Sequence, residues 1–487
     1  MAGSLCALYA HDRPYAARAR ALAWVVAGML GGLGVALVTA SLTTNTVVLV
    51  TVGALLAAAQ KTLCDATRIG PPGHVVLAFV TSASLFAPQP LGQVPGHLAL
   101  GAAAGTWAWA VGMAPGLVRP HGPERRATAH ALNAAAVSAG DPDDTRARAA
   151  AAAAVHAARQ SLLSAGARSA PRRALERLVV RAEVALAAPV GTDPGRLRGW
   201  ARELSGTGPV PRPDGLGDAA DGLLGVESAP AFGEPPLPAR LGPLAPVALR
   251  TALGCALAGY ASLALGVGRP AWALVTAASL YQADVTLTWS RGVQRVTGNL
   301  LGVAAFALLV PLAHAGRAAL VLCCLALNFG AEALIGRNYW LGSVCVTPMA
   351  LLITEFAHAQ RPGELMADRL LDTFVGASVG FLVAVVVTDR RAGDRVEAAL
   401  FAVGRAQEHA TGLLAGERPE PGALESARRG LSAAVVHLRR AADTEAGERR
   451  RRALPEERVM RAEQAGHRTL AATVRRQGLH CREGAQA

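Results

Sequence analysis

Two long stretches of this chain contain no charged side chain, and they constrain its fold more than any other feature. The first lies between Arg20 and Lys61, and the second lies between Arg68 and Arg119. A helix needs roughly 20 apolar residues to cross a hydrocarbon core about 30 Å thick, so each stretch can hold a helical hairpin. With 52% hydrophobic residues over 487 positions, the chain is too apolar for an ordinary soluble protein. The pattern predicts a protein that crosses a membrane several times.

Charge-free windows recur in the second half of the chain. We predict ten membrane spans, four in a first block and six in a second. The predicted spans are 21–41, 44–60, 73–90, 97–117, 246–266, 270–284, 297–315, 318–335, 339–355 and 370–388. Polar residues that flank the shorter windows can snorkel to the interface or face the bundle interior. The predicted fold class is all-α, a polytopic membrane helix bundle with cytoplasmic helical segments.

The segment that follows each apolar block is more polar. Residues 122–190 are rich in Ala, Arg and Leu with helical periodicity, and residues 390–478 again look helical. The predicted domains are a first transmembrane block at 1–118, a cytoplasmic helical region with a Gly/Pro-rich linker at 119–242, a second transmembrane block at 243–388, and a C-terminal cytoplasmic helical region at 389–487. The two blocks are weakly alike, as in the parallel repeats of secondary transporters.

The short loops predict an orientation, because cytoplasmic loops of membrane proteins carry an excess of Lys and Arg. With the N-terminus inside, the cytoplasmic connections hold more basic residues than the outside connections. The outside connections carry Arg269, Arg317, Arg361 and Arg369. We expect a multi-pass protein of the inner cell membrane with both termini cytoplasmic. A signal peptide is the competing interpretation of residues 1–41, but the apolar run there is longer than a signal peptide's.

Composition excludes several classes of chemistry. The formal net charge is +13, yet Lys61 is the only lysine, so no lysine follows a glycine-rich phosphate loop and a lysine Schiff base is not expected. The seven cysteines lack metal-ligand spacing, and the histidines form no HExxH motif. We therefore expect no metal, no cofactor and no enzymatic activity. The positive charge favours contact with anionic lipid over binding of nucleic acid.

A stripe of arginine and glycine precedes and enters the seventh predicted span. Arg291, Arg295, Gly298 and Gly302 follow one another at spacings of four, three and four, which puts them on one helix face, with Asn299 beside them. The fork of a guanidinium suits a carboxylate better than an ammonium does, so the stripe predicts an anion site. In the alternative interpretation the arginines are positive-inside anchors, and the glycines only allow close helix contact.

Three carboxylates lie in or at the ends of predicted spans. Glu332 lies within a span, Asp284 ends one and Asp372 begins one. An acidic group at membrane depth is costly and is usually functional or paired, so these residues are candidates for proton coupling or gating. Interfacial placement is the alternative for Asp284 and Asp372.

Small and aromatic residues mark further positions in the spans. Gly376 and Gly380 are spaced for close helix packing. Four aromatic residues lie at predicted span ends, where aromatic belts occur, or where they could stack on a substrate. They are Trp272, Trp289, Tyr339 and Trp340.

Two segments of the second block resemble the fusaric acid resistance/aromatic acid exporter family of integral membrane proteins. They read PAWALVTAASLYQADVTLTWSRGVQRVTGNLLG and ALNFGAEALIGRNYWLGSVCVTPMALL. The matching positions are Arg291, Arg295, Gly298, Gly302, Glu332, Arg337, Asn338, Tyr339, Thr347 and Pro348. The chain departs from the family in having Gly298-Asn299 where Gly-Thr is common, and four spans in the first block where six are expected. The resemblance implies a helical membrane fold and efflux of aromatic carboxylic acids.

The sequence therefore predicts a membrane transporter for the efflux of small aromatic or amphipathic organic acids. Arg291, Arg295, Asn299 and Tyr339 are the candidate substrate-binding residues. The expected partners are a small organic anion, the lipid bilayer and further copies of the chain in a homo-oligomer, with no nucleic acid. The alternative is a non-transporting membrane scaffold whose cytoplasmic helices bind partners. A membrane-bound enzyme ranks third, because no catalytic constellation is present.

Overall fold

The computed structural model describes most of the chain as helix. The described residues are 6, 9–10, 13–67, 69–70, 72–164, 169–187, 189, 192–206, 208–211, 241–266, 269–281, 285–335, 338–357, 361–387, 392–417, 420–448 and 456–477. Within these ranges there is no strand, so the prediction of an all-α fold is confirmed.

The described helices are numbered in chain order. They are α1 (Tyr15–Leu42), α2 (Thr46–Thr67), α3 (Val75–Leu85), α4 (Val94–Met113), α5 (Pro115–Val118), α6 (Gly122–Gly140), α7 (Thr145–Ser164), α8 (Ala170–Ala187), α9 (Pro194–Ser205), α10 (Ala245–Ala264), α11 (Pro270–Leu280), α12 (Val285–Ala313), α13 (Arg317–Ile335), α14 (Tyr339–Ala357), α15 (Pro362–Val386), α16 (Ala392–Ala415), α17 (Pro421–Glu448) and α18 (Glu456–Arg476). Several begin with proline, as α9, α11 and α15 do, because its fixed φ suits the first helical position and its missing N–H is not needed there.

The helices form two compact units, each built from separate parts of the sequence. Unit 1 comprises Met1–Tyr9, Ala21–Ala110 and Pro236–Asp389. Unit 2 comprises Ala10–Arg20, Val111–Pro235 and Arg390–Ala487. The apolar blocks thus lie mainly in unit 1 and the more polar helical segments in unit 2. The finer division at residues 118, 242 and 388 stays a prediction.

Five helices are long and apolar enough to cross a membrane, namely α1, α2, α10, α12 and α15. Each has at least 20 residues, and 20 residues at 1.5 Å rise make a helix about 30 Å long. The prediction of a membrane protein with several apolar helices is confirmed in this form. The count of ten spans stays a prediction.

Two apolar helices of unit 1 are much shorter than the sequence predicts. α3 and α11 have 11 residues each, which at 1.5 Å per residue is about 16 Å, or half of the hydrocarbon core. The predicted spans 73–90 and 270–284 are therefore too long, since the helices within them end at Leu85 and Leu280. Two prolines follow the end of α3, and Tyr281 turns to an extended conformation after α11.

Each short helix follows a long one, and the two pairs share a core. α2 and α3 pack on α10 and α11 through alanines and other small apolar side chains. Glycines allow this proximity, because a Cβ at Gly259 of α10 would lie 2.6 Å from a methyl of Val50 in α2. Every residue of α11 after Pro270 is buried. This short helix is therefore surrounded by protein, and it also contacts α12 and α15.

Unit 2 is a helical bundle with contributions from both sides of the second apolar block. α6 contacts α7, α8 and α9, while α16 contacts α17 and α18. α17 also contacts α7, and α18 contacts α8. Consequently the segment before the second apolar block and the segment after it pack into one unit.

Candidate functional site

The glycines of the stripe bring α12 against α14. A Cβ on Gly298 would lie 2.5 Å from the Cβ of Ser343 and 2.8 Å from the carbonyl oxygen of Trp340. A Cβ on Gly302 would lie 2.6 Å from the Cβ of Thr347. Real Cβ atoms do not approach one another so closely, so a side chain at either position would force the two helices apart. This is the geometry that the predicted packing role requires.

Gly376 and Gly380 allow a similarly close contact between α15 and α11. A Cβ on Gly376 would lie 2.5 Å from the carbonyl oxygen of Ala273, and a Cβ on Gly380 would lie 3.0 Å from a methyl of Leu280. The short helix is thus held closely along α15. α12, which carries the stripe, contacts α11, α14 and α15. The stripe therefore lies among the helices that surround the end of α11.

Both arginines of the stripe meet the same tyrosine. The guanidinium carbon of Arg291 lies 3.8 Å from the centroid of the Tyr339 ring, as in a cation–π contact. Nη1 of Arg295 donates a hydrogen bond to Oη of Tyr339 at 3.3 Å, and Arg295 is buried. Three of the four residues predicted to bind substrate therefore converge at the start of α14. The sequence prediction had placed them at a span mouth, whereas α12 begins at Val285, so the arginines lie within the helix.

Asn299, the fourth candidate, is already engaged by protein groups. Its Nδ2 donates to Oγ1 of Thr373 in α15 at 3.0 Å, and its Oδ1 accepts a short hydrogen bond from Oγ1 of Thr347 in α14. The side chain is fully buried. A threonine has no second polar atom with which to join both helices in this way. Asn299 therefore joins α14 and α15 to α12 beside the arginines.

Arg369 is a site residue that the sequence prediction placed in an outside connection. The structure places it inside α15, which begins seven positions earlier at Pro362, with only 1% of its surface exposed. Its guanidinium carbon lies 5.0 Å from the centroid of the Trp272 ring in α11. It interacts electrostatically with both Arg295 and Tyr339. The signal in the sequence was helical spacing. Arg369 is followed at three, four, seven and eleven positions by Asp372, Thr373, Gly376 and Gly380, which places it on the same helix face as these residues.

Several guanidinium N–H groups of this site have no hydrogen-bond acceptor among the described residues. We call Arg291, Arg295 and Arg369 the arginine cluster. Within the described ranges, Nε of Arg295 and both Nε and Nη1 of Arg369 are buried and have no hydrogen-bond partner. No described carboxylate forms an ion pair with the cluster within 4.0 Å. The arrangement therefore presents buried positive charge with hydrogen-bonding capacity left over, which suits an anion.

Asp372, one of the predicted coupling residues, holds the beginning of α11. Its Oδ1 accepts a hydrogen bond from Oγ of Ser262 at 2.8 Å, and its Oδ2 accepts one from the backbone N–H of Arg269 at 2.6 Å. Arg269 is the N-cap position of α11. A carboxylate near a helix N-terminus is stabilising. Asp372 also interacts electrostatically with Arg369, and its hydrogen-bond partners lie at the beginning of α11, the end at which Arg369 meets Trp272.

The end of α11 lies near the beginning of α3. Nε2 of the buried His74, the residue before α3, is 2.8 Å from the carbonyl oxygen of Ala278. Tyr339 contacts Ser279 in the same turn of α11, and Arg291 interacts electrostatically with His74. Two short helices therefore meet beside the arginine cluster. Interrupted helices in corresponding positions of two repeats mark the binding sites of many secondary transporters.

The other two predicted coupling residues lie beyond what the structure describes. Asp284 is outside the described residues, and so is Arg337. Glu332 lies in α13, but its side chain is outside the described part. Among the described side chains there is no group of three potential metal ligands.

Comparison with known proteins identifies the region that contains this site. Residues 256–383 match the model of the fusaric acid resistance protein-like family, so the recognition of this family is confirmed over that range. Over 131 residues the chain is 34% identical to the uncharacterized membrane protein YvaC of Bacillus subtilis (strain 168). That match covers 26% of this chain and only 21% of the relative. No solved structure matches the chain.

Proposed function

We propose, from the match of residues 256–383 to the fusaric acid resistance protein-like family, that this membrane protein transports small organic anions. The arginine cluster binds the carboxylate. The direction of transport is efflux across the inner cell membrane, and the preferred substrates are aromatic or amphipathic carboxylic acids.

The observation that carries this proposal is the burial of unpaired guanidinium nitrogens. Arg369 is almost inaccessible, and two of its nitrogens have no partner among the described residues. Leaving a charged donor without a partner in a low-dielectric interior is expensive. A carboxylate accepts two parallel hydrogen bonds from a guanidinium, so its arrival would remove that cost.

Aromatic side chains beside the cluster support a preference for ring-containing acids. The rings of Trp272 and Tyr339 flank Arg369 and Arg291 at 5.0 and 3.8 Å. Each ring offers a flat apolar surface next to a cation, which matches a planar molecule with an anionic end.

The topology that we propose keeps both termini and unit 2 in the cytoplasm. In it the ten apolar helices of the two blocks lie in the membrane, with α3 and α11 as partial crossings. Glu332 and Asp284 remain the proposed proton-coupling residues, and the chain works with further copies of itself.

The test is transport of an aromatic acid by the purified protein in liposomes. Fusaric acid and benzoate are suitable probes. Arg295→Gln and Arg369→Gln are each expected to lower the transport rate by roughly tenfold or more, because a hydrogen bond to a charged group contributes about 1.5–3 kcal/mol. Arg317→Gln is the matched control, since Arg317 is an exposed arginine at the start of α13 and its removal changes the net charge equally.

The competing function is the non-transporting scaffold, in which Arg291 and Arg295 only offset the negative end of α11. Cations near a helix C-terminus are stabilising, and Ser279 and Ala278 lie in that last turn. If both arginine variants remain inserted and transport the acids at the wild-type rate, or if the wild-type protein moves neither acid, the transport proposal fails in favour of the scaffold.

A further inference from the structure

Unit 2 contains a buried network of charged side chains that is separate from the arginine cluster. Nε of Arg159 in α7 donates to Oε1 of Glu183 in α8 at 2.7 Å. Arg428 in α17 donates to Glu183 at 2.5 Å and to Oε2 of Glu425 at 2.9 Å. Nε of Arg429 lies 2.5 Å from Oε1 of Glu425. We call these five residues the polar core of unit 2.

The polar core holds more positive than negative charge. Burial alone would raise the pKa of Glu183, but Arg159 and Arg428 lower it to about 2, so this carboxylate is ionised near neutral pH. Burial and the neighbouring Arg159 lower the pKa of Arg429 to about 10, so this guanidinium is also charged near neutral pH.

A cavity lies directly against this network. Its volume is about 30 Å³, two to three times the roughly 10–15 Å³ that a single water needs. Its polar lining includes His156, Arg159, Arg428, Arg429, Ser432 and His467. Glu183 is the acidic residue that lines it, and both oxygens of that carboxylate already accept hydrogen bonds from arginines. The space therefore suits a small acceptor and is too small for an aromatic acid.

We propose that this cavity is a binding site for a small monovalent anion between chloride and acetate in size. The anion accepts hydrogen bonds from the guanidinium groups that line the cavity and from the hydroxyl of Ser432. Because α7 and α8 precede the second apolar block while α17 and α18 follow it, the bound anion ties together both sequence segments of unit 2. This inference does not rest on the transport proposal, since it concerns other residues in the other unit.

The test uses the full-length protein in detergent, with amide hydrogen exchange followed in α8 and α17. Sodium gluconate is replaced by sodium chloride or sodium acetate at constant ionic strength, because gluconate is too large for the cavity. Exchange in these helices should slow by roughly tenfold once the small anion reaches about ten times its Kd, since ligand binding stabilises the folded state by mass action. Exchange in the membrane helices should not change.

The variant that separates a site from a purely structural network is Arg429→Gln. It removes one of the three guanidinium groups that line the cavity and keeps both arginine partners of Glu183, so the unit should fold and lose the response to the anion. Arg461→Gln is the matched control, because Arg461 is exposed and forms an ion pair with Glu457 on its own helix; it should keep the response. If Arg429→Gln does not fold, Ser432→Val fills the cavity without changing charge and should abolish the response. An absent wild-type response, or an equal response in Arg429→Gln or Ser432→Val, overturns the proposal.

Discussion

At the scale of single residues, the site is defined by the contrast between Asn299 and Arg369. Both are buried, but the amide of Asn299 is used by threonines of two neighbouring helices, whereas Arg369 keeps nitrogens without a described partner. The sequence identified Asn299, Arg291 and Arg295 because they lie on one helical face. It missed Arg369, because a charge at the edge of an apolar run looks the same whether it is in a loop or inside the helix.

The glycine contacts give a prediction about stability. Gly302→Ala should lower the stability of unit 1 by about 1–3 kcal/mol, the usual cost of overpacking, because the new methyl would lie 2.6 Å from the Cβ of Thr347. The measurement is thermal unfolding in detergent. Gly28→Ala is the control, since no atom lies within 4 Å of a Cβ at that helical glycine. Equal melting temperatures for the two variants would contradict the close contact of α12 with α14.

At the scale of elements, the two half-length helices are the main departure from the sequence prediction. Apolar windows located the helices well, because hydrophobicity and the absence of charge are local properties. They did not give the lengths of α3 and α11, because the apolar composition continues past the point where each helix ends. Whether an apolar residue lies in a helix or in the following turn depends on packing partners that are far away in sequence.

The anchoring of α11 by Asp372 gives a prediction at this scale. Asp372→Ala removes the acceptor for Ser262 and for the backbone N–H of Arg269, so amide exchange across residues 270–280 should accelerate. Asp372→Asn keeps one carbonyl oxygen as an acceptor and should have a smaller effect, because a lost buried hydrogen bond to a charged group costs about 1.5–3 kcal/mol. Asp368→Ala is a control on the preceding turn of the same helix. Unchanged exchange in Asp372→Ala would show that α11 is held by its apolar contacts alone.

At the scale of the whole molecule, composition predicted two kinds of segment, and the structure has two kinds of unit. The sequence could not show how the segments combine. The two apolar blocks form unit 1 together, and the two more polar helical segments form unit 2 together, although each pair is far apart in the chain. Contacts such as Arg428 with Glu183 are 245 positions apart, and neither residue carries a local signal of its partner. The polar core could therefore not be predicted from the sequence.

Unit 2 should lose stability on mild acidification. Burial, assisted by Arg148 and Arg439, lowers the pKa of His467 from 6.5 to about 4. The unfolded chain then binds a proton that the folded unit excludes, so this contribution to stability is complete above about pH 6.5 and is lost as the pH falls toward 4. The pKa of Glu183 is lowered from 4.5 to about 2, so the stability that its ion pairs contribute is complete above about pH 4.5 and is lost only as the pH falls from there toward 2.

The measurement is amide exchange in α18 at pH 7 and pH 5, corrected for the intrinsic rate. His467→Gln should show a smaller loss of protection than the wild type over this range. His409→Gln, at an exposed position of α16, should behave like the wild type. A loss of protection that is the same in His467→Gln as in the wild type would assign the acid sensitivity to another group.

The short length of α11 also bears on how the chain enters the membrane. An 11-residue segment is too short to leave the translocon as a stable crossing of its own, since about 20 apolar residues are needed. α10 precedes it and supplies much of the surface against which it is buried. If α11 lies in the membrane as proposed, we therefore expect α10 and α11 to enter the lipid together as one hairpin, with α11 fully buried only after α15 packs on its remaining face.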